Sequence, residues 1–540
     1  MPRRSQVMPY ILPLFIFAVA LAARIVPGPR TIDDSYITFR YARNILAGIG
    51  FVYNPGEHVL GTTTPFYTFL LTIIGFFSGR TQAPFPQIAL YINAIADAIT
   101  CLLLVKIGYR LGSPRAGFGA AAVWAIAPYS VTFAIGGLET SVYVLLLTGT
   151  ISAHIYTRHK LCAFLAALSL LTRPDALILI GPLFLDRAIQ IIQKAREAQT
   201  KKWKTSVIRS LPGGEIFSFL FPATLWFSFA AIYFGSPIPH SMAAKSIAYR
   251  LAPDAALVRL IQHYGTPFLG HLTFGIPWIG IGFVLYFFLF LLGARQAIFA
   301  SQRIWPWIIY PWLYFAAFAI ANPLIFRWYL TPLLPPYIFT ILLGADRIFT
   351  DILTAKKINA LSKYSTIKYS IANGLAIFFV VIIPVFLSLR GWTIIPDHGL
   401  NKPAPEMAWY QLELLYHQAA EIVAPESQKL DVQSPVLAAG DVGVLGFYTN
   451  DKILDTVGLN SAQAMKYYPL DPKYYTINYS IPPRLILDSL PDYIVILEVY
   501  GREGLLKDPQ FWQDYRLVQK IPTDIYGSEG MLIFTRKSKS

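Results

Sequence analysis

The sequence predicts a mainly α-helical, polytopic membrane protein of about eleven spans, followed by a soluble α/β domain at its C-terminus. Three observations carry this reading. Of 540 residues, 55% are hydrophobic and 14% charged, with a mean hydropathy of +0.49, whereas a soluble protein is about a quarter charged. Apolar runs long enough to span a bilayer, roughly 17–25 residues, recur through the first 390 positions. Charge is also divided: residues 391–540 hold 13 Lys and Arg against 18 Asp and Glu, leaving 32 against 12 in residues 1–390. That basic excess sits in short loops between apolar runs, as the positive-inside rule describes, and sets nucleic-acid binding aside.

The first span is read at 8–27. It enters from Arg3-Arg4 on the cytoplasmic side, and it is read as a span rather than a signal peptide because the run is long and more spans follow. A polar external segment, 28–62, precedes a short apolar stretch at 63–78 that suits an interfacial or re-entrant helix. Span 2 (86–108) ends at the inner residues Lys106, Arg110 and Arg115. Spans 3 and 4 (116–134 and 141–157) flank the external turn Gly136-Gly137-Leu138-Glu139-Thr140. Two short spans, 161–172 and 176–191, meet at Thr172-Arg173-Pro174-Asp175, an interruption tolerated at membrane depth where it lines a protein cavity.

The loop 194–209, with Lys194, Arg196, Lys201, Lys202, Lys204 and Arg209, marks the inner side. Span 7 (214–234) leads to an external loop reaching about 271. Span 8 (272–292) returns, and span 9 (304–321) goes out to Asn322–Arg327. Span 10 (329–347) comes back to Lys356, Lys357, Lys363 and Lys368, and span 11 (369–389) exits. Eleven crossings put the N-terminus inside and residues 391–540 outside. In that last part, 405–423 suits a helix, and 436–448, 452–457, 493–497 and 531–535 read as strands with turns. No tandem repeat or low-complexity stretch is present. Cys101 and Cys162 both lie in apolar runs, so no disulfide staples the outer domain. No Cys/His cluster or P-loop is found, and no metal ligands are assigned.

Charged residues gather on the expected outer side: Asp33, Asp34, Glu57, Glu139 and Asp175 with Arg40, Arg43, Arg173, Lys245 and Arg327. Asp33-Asp34 is the sharpest pair. Adjacent carboxylates repel, which raises one pKa and suits a general base; the alternative is that one of them caps the helix beginning there. Arg327 and Lys245 suit an anionic lipid phosphate, the first as a fork and the second as a point charge. Their alternative role is to reach up to lipid headgroups. Asp175 is placed to pair with Arg173.

The string from Asp33-Asp34 through Arg40, Arg43 and Asn44, then Gly48–Asn54-Pro55-Gly56-Glu57, resembles the first external loop of bacterial GT-C glycosyltransferases. The likeness is to the group that contains the mycobacterial terminal arabinofuranosyltransferases. Gly137–Thr140, Leu171–Asp175, Arg327–Pro335, Gly440–Gly443 and Asp455–Leu459 resemble later motifs of that group. The resemblance implies a GT-C transmembrane catalytic domain (1–390) with an extracytoplasmic α/β domain (391–540), in the bacterial cytoplasmic membrane. It implies transfer of an arabinofuranose-like or hexose sugar from a polyprenyl-phosphate donor to a glycan or lipid acceptor. Asp33 or Asp34 would be the catalytic carboxylate. Arg327, then Lys245 and Arg173, would hold the donor phosphate, and Arg40, Arg43, Asn54, Glu57, Glu139 and Asp175 would hold substrate. No cofactor is required, and a divalent cation on Asp33 and Asp34 is compatible with the scheme. This chain departs from the group at Gly61-Thr62-Thr63-Thr64-Pro65, where the group usually carries Ser-Asn-Pro-Leu-Trp after the glycine.

Two other enzyme or transport readings fit the composition. One is a mannosyltransferase to protein or lipid on the same scaffold. The other is a transporter or flippase of a lipid-linked sugar, which calls for ionisable residues near mid-membrane; Asp97 is the candidate. A catalytically inactive scaffold is argued against by the intact first loop.

Overall fold

A computed structural model describes residues 4–197, 212–269, 275–355, 365–393, 402–408, 411–427 and 435–537. The apolar runs are largely helical within the described residues. In chain order these helices are α1 (Arg4–Ile25), the polar α2 (Asp33–Leu46), the short apolar α3 (Pro65–Phe77), α4 (Phe85–Arg110), α5 (Pro114–Ile126), α6 (Pro128–Ile135), α7 (Thr140–Ile155), α8 (His159–Thr172) and α9 (Leu177–Glu197). After these come α10 (Gly213–Phe234), α11 (His240–Ala248), α12 (Ala255–Gly265), α13 (Pro277–Ala300), α14 (Trp305–Ala321), α15 (Leu334–Ala355), α16 (Ser365–Ile377) and α17 (Ile383–Leu389). Helices α4, α10, α13 and the stretch Gln302–Ala321 are each long and apolar enough to cross a membrane, and α5 with α6 forms one more span bent by 43°. The bend falls at Pro128, whose ring removes a helix hydrogen bond. Large apolar side chains face outward: Ile232 is 86% exposed and Phe299 79%. This surface suits hydrocarbon rather than water, and the chain is a multi-pass membrane protein.

The tenth expected span begins later than its sequence suggests. Arg327–Leu330 is a separate helical turn, and α15 starts at Leu334. Helices α13 and α15 cross closely because small residues meet there. A methyl group on Gly293 would overlap the Thr340 carbonyl, and one on Gly344 the Leu289 carbonyl, so the backbones themselves are in contact. The expected inner residues Lys201, Lys202, Lys204, Arg209, Lys356, Lys357 and Lys363 lie outside the described residues.

Asp97, the mid-span charge a transporter would need, is locked in place. Its carboxylate accepts from Arg24 Nε at 2.8 Å, Ser141 Oγ at 2.8 Å and Trp124 Nε1 at 3.0 Å, and both Arg24 and Asp97 are fully buried. The rest of the Arg24 guanidinium donates to the carbonyls of Ala20 and Ala125 and to Ser130 Oγ. This network ties α1, α4, α5, α6 and α7 together. Breaking one partner of a buried ion pair strands the other charge. Asp97→Asn is therefore expected to cost about 3 kcal/mol, seen as a lowered thermal unfolding midpoint in detergent; an unchanged midpoint would refute this structural role.

The C-terminal part begins with β1 (Trp392–Thr393) paired to β2 (Ala404–Pro405), then α18 (Gln411–Ser427). A five-stranded sheet follows, made of β3 (Val436–Ala439), β4 (Lys452–Asp455), β5 (Tyr493–Leu497), β6 (Tyr515–Ile521) and β7 (Met531–Arg536), in the order β4-β3-β5-β7-β6. Strands β4, β3 and β5 run parallel, with Ala438 opposite Leu454 and Ile494; β7 and β6 run antiparallel. All five residues of β5 are buried, as expected for a central strand covered on both faces. Two expectations are corrected here. The helix begins at Gln411 rather than 405, because Ala404–Pro405 is drawn into β2. In the stretch 436–448, read as a strand and turn, the strand is Val436–Ala439, and Gly443–Thr449 forms a helix, α19, where only a turn was expected. The edge strand β6 was not expected, since its row of exposed Arg516, Gln519 and Lys520 follows the logic of edge protection rather than hydrophobic alternation.

Candidate functional site

Pro174 ends α8 against α9, Gly136–Glu139 turns between α6 and α7, and α2, α11 and the Arg327–Leu330 turn close over the same end of the bundle. Between them lies a cavity of about 530 Å3. Five of the expected site residues line it: Asp34, Glu139, Arg173, Asp175 and Lys245. Arg173 is held as a fork by Asp175, at 3.0 Å from Nε and 3.2 Å from Nη2, and lies 3.5 Å from Glu139. Tyr314 OH also donates to Asp175. Arg173 and Lys245 share Tyr329. The guanidinium sits 4.9 Å from the ring centroid, and Lys245 Nζ donates to the phenol oxygen at 3.3 Å. Burial acts to lower the Lys245 pKa, but Tyr329 and the charge of Asp34 outweigh it and hold the ammonium above its ordinary range. The cavity thus carries a protonated amine facing a set of carboxylates.

Asp33 and Asp34, adjacent in sequence, have different surroundings. Neither caps α2, where Ile32 occupies the cap position without a side-chain bond. Asp33 turns away from the cavity and caps α19 from across the molecule, accepting from Gly443 N at 2.9 Å and Val444 N at 2.8 Å. Its own N–H donates to Glu413 Oε1 at 3.2 Å. Each Asp33 carboxylate oxygen thus accepts one backbone N–H. Among the described residues no group of three His, Cys, Asp or Glu is placed to hold a metal.

Arg40, Arg43, Asn54 and Glu57 do not line the cavity. They dock the C-terminal part instead. Arg40 donates to Tyr53 O at 2.8 Å, Gly446 O at 2.5 Å and Asp451 O at 2.8 Å. Arg43 donates to Phe447 O at 2.7 Å. Asn54 exchanges bonds with Ile453 N and O, and Glu57 pairs with Lys452 at 2.7 Å. Arg327 is exposed and is not among the cavity residues, although its neighbours Trp328 and Tyr329 are. Tyr249, Tyr329, Ser241 and Leu459 line the cavity without having been singled out. Tyr329 and Leu459 each stood inside a quoted motif, Arg327–Pro335 and Asp455–Leu459, but as an apolar side chain in the sheet-bearing part Leu459 carried no chemical signal of its own.

The docking face holds buried acids. Burial raises the Glu413 carboxyl to about 8, and Asp441 likewise to about 6. Burial also raises Asp33, with the Asp441 charge adding to the effect and the Val444 and Gly443 amides opposing it. Groups whose folded pKa lies above the unfolded one bind extra protons in the native state, so their contribution falls as pH rises from the ordinary carboxyl range toward 8. The thermal midpoint is expected to be lower at pH 8.5 than at pH 6, and Glu413→Gln to flatten that slope. An equally steep slope in the variant would exclude Glu413 as its source.

Comparisons with known proteins agree with this architecture. A family model described only as a domain of unknown function (DUF8728) matches residues 407–534. The terminal beta-(1->2)-arabinofuranosyltransferase of Mycobacterium tuberculosis is 31% identical over 237 residues, which is 40% of this chain and 35% of that protein. The match therefore spans about a third of that relative. Among solved structures, the oligosaccharyltransferase AglB of Archaeoglobus fulgidus, in complex with an inhibitory peptide and a dolichol-phosphate, superposes with a TM-score of 0.53 at 13% identity, over 99% of this chain and 75% of that one. ArnT of Cupriavidus metallidurans, bound to undecaprenyl phosphate, superposes with a TM-score of 0.52 at 12% identity, over 98% of both chains. At such identities the likeness is one of fold, and the chain has the GT-C fold.

Proposed function

We propose that the protein is a glycosyltransferase that moves a sugar from a polyprenyl-phosphate donor to the hydroxyl of a glycan or lipid acceptor. Its setting is the outer face of a bacterial cytoplasmic membrane, with residues 391–540 as an extracytoplasmic domain. The observation that supports it most is the cavity that gathers Asp34, Glu139, Asp175, Arg173 and Lys245 at one end of an apolar helix bundle. Asp34 takes the proton of the acceptor hydroxyl as the new glycosidic bond forms at the anomeric carbon. The bond from that carbon to the donor phosphate breaks, and the departing phosphate gains charge. Lys245 faces that charge as a preorganised cation. Arg173 is already paired with Asp175 and Glu139, so Lys245 is the first choice for the phosphate and Arg173 orients the site. Arg327, exposed outside the cavity, is assigned to headgroups at the membrane surface.

The test is turnover by the purified protein in detergent, with labelled polyprenyl-phospho-arabinose and polyprenyl-phospho-mannose offered separately. Transfer or donor hydrolysis with one of them is expected, and the preferred donor names the sugar. Lys245→Ala is expected to lower kcat/KM by roughly 10²–10³. Turnover of neither donor by the wild type would overturn the reading.

A further inference from the structure

The segment Gly61–Thr64 forms a cavity wall together with Leu459 of the sheet-bearing part. Their contact is close. A methyl group on Gly61 would overlap the Asn460 side chain and lie 3.0 Å from the Leu459 carbonyl, so only glycine lets the two segments meet here. Gly61 N also donates to Tyr41 OH at 3.0 Å. On the other side, the loop carrying Leu459 is built around the Asp455 carboxylate, which accepts from Val457 N at 3.0 Å, Gly458 N at 3.0 Å and Asn460 N at 2.8 Å. The loop is therefore fixed before any ligand arrives.

The three threonines are not equivalent. Thr62 Oγ1 accepts from Thr64 N at 3.2 Å and lies 3.1 Å from Thr64 Oγ1, so these two hydroxyls brace the turn. Thr63, half-buried in the same wall, has a hydroxyl that no hydrogen bond engages among the described residues. A free hydroxyl and a leucine lining one cavity match the two aspects of a sugar ring, hydroxyl edge and apolar face.

We propose that Thr63 and Leu459 select the sugar ring that enters the cavity: Thr63 Oγ1 bonds a ring hydroxyl, and Leu459 packs on the ring's C–H face. The proposal rests on the sugar-transfer reading above, and it makes the sheet-bearing part a wall of the site. The ring belongs to the donor or to the acceptor, and two assays separate these. The first measures kcat/KM for hydrolysis of polyprenyl-phospho-arabinose and of polyprenyl-phospho-mannose without acceptor. The second measures transfer from the preferred donor to octyl arabinofuranoside and to octyl mannoside.

Thr63→Val and Leu459→Ala are each expected to change the preference ratio in one assay by about tenfold, with Thr63→Ser restoring it. A change in the first assay assigns the donor ring, and a change confined to the second assigns the acceptor ring. Thr63→Val keeps side-chain shape, so it reads the wall even where Leu459→Ala proves unstable. Both ratios unchanged in Thr63→Val, with turnover intact, would overturn the wall alone. No turnover by the wild type would bring down the wall and the sugar-transfer reading together.

Discussion

Asp34→Asn is expected to lower kcat for sugar transfer by roughly 10²–10⁴, with the thermal midpoint nearly unchanged. Asp34 lines the cavity that also carries Lys245 and Arg173, and an amide of the same shape cannot take the acceptor proton. Asp33→Asn should behave in the opposite way. Its carboxylate accepts two backbone N–H groups of α19. An amide retains one acceptor and turns an NH2 group toward the other donor. That leaves a buried mismatch worth about 1–3 kcal/mol, so the midpoint falls while kcat of the folded protein stays within about threefold of wild type on this reading. Turnover per folded molecule and thermal unfolding, measured on both variants, separate the roles. Loss of turnover in Asp33→Asn with full turnover in Asp34→Asn would reverse the assignment.

Arg40→Ala is expected to cost about 5 kcal/mol, because it leaves the carbonyls of Tyr53, Gly446 and Asp451 without their donor in a buried setting, each worth about 1–3 kcal/mol. Arg40 is 2% exposed and its ring contact with Tyr53, at 4.5 Å, goes with it. The loss should appear as undocking: limited proteolysis should release a fragment near residues 391–540 from the variant and spare the wild type. Arg40→Lys should recover little, since one ammonium cannot reach carbonyls on both sides of the interface. Protease resistance equal to wild type in Arg40→Ala would show that the interface does not depend on this residue.

Both outcomes bear on how far the sequence could be read. The string from Asp33 to Glu57 stood out as a dense set of charged and polar residues after a first apolar run, and it does contain one cavity carboxylate, Asp34. Its other members serve docking. Arg40, Arg43, Asn54, Glu57 and Asp33 meet partners in residues 443–455, and the Asp33 to Gly443 bond joins positions 410 apart in the chain. No local pattern in α2 announces a partner so distant. Asp97 shows the same limit from the other direction. As a lone carboxylate in an apolar run it was the candidate mid-membrane charge for a transporter, and only the packing of α1 and α5 against α4 supplied the guanidinium that pairs with it and the indole that donates to it.

The helical architecture was legible because hydrophobicity is a local property: each apolar run long enough for a bilayer must satisfy its own backbone, and helix does this within the segment. The central strands β3, β4 and β5 were legible for a similar reason, as short apolar runs between turn residues. Which of two adjacent aspartates faces the cavity, that Lys245 rather than Arg327 lines it, and that Leu459 joins Thr63 in one wall were settled only by tertiary contact. Those facts depend on where segments hundreds of residues apart come to rest, and a side chain's role follows from its partners rather than from its neighbours in sequence.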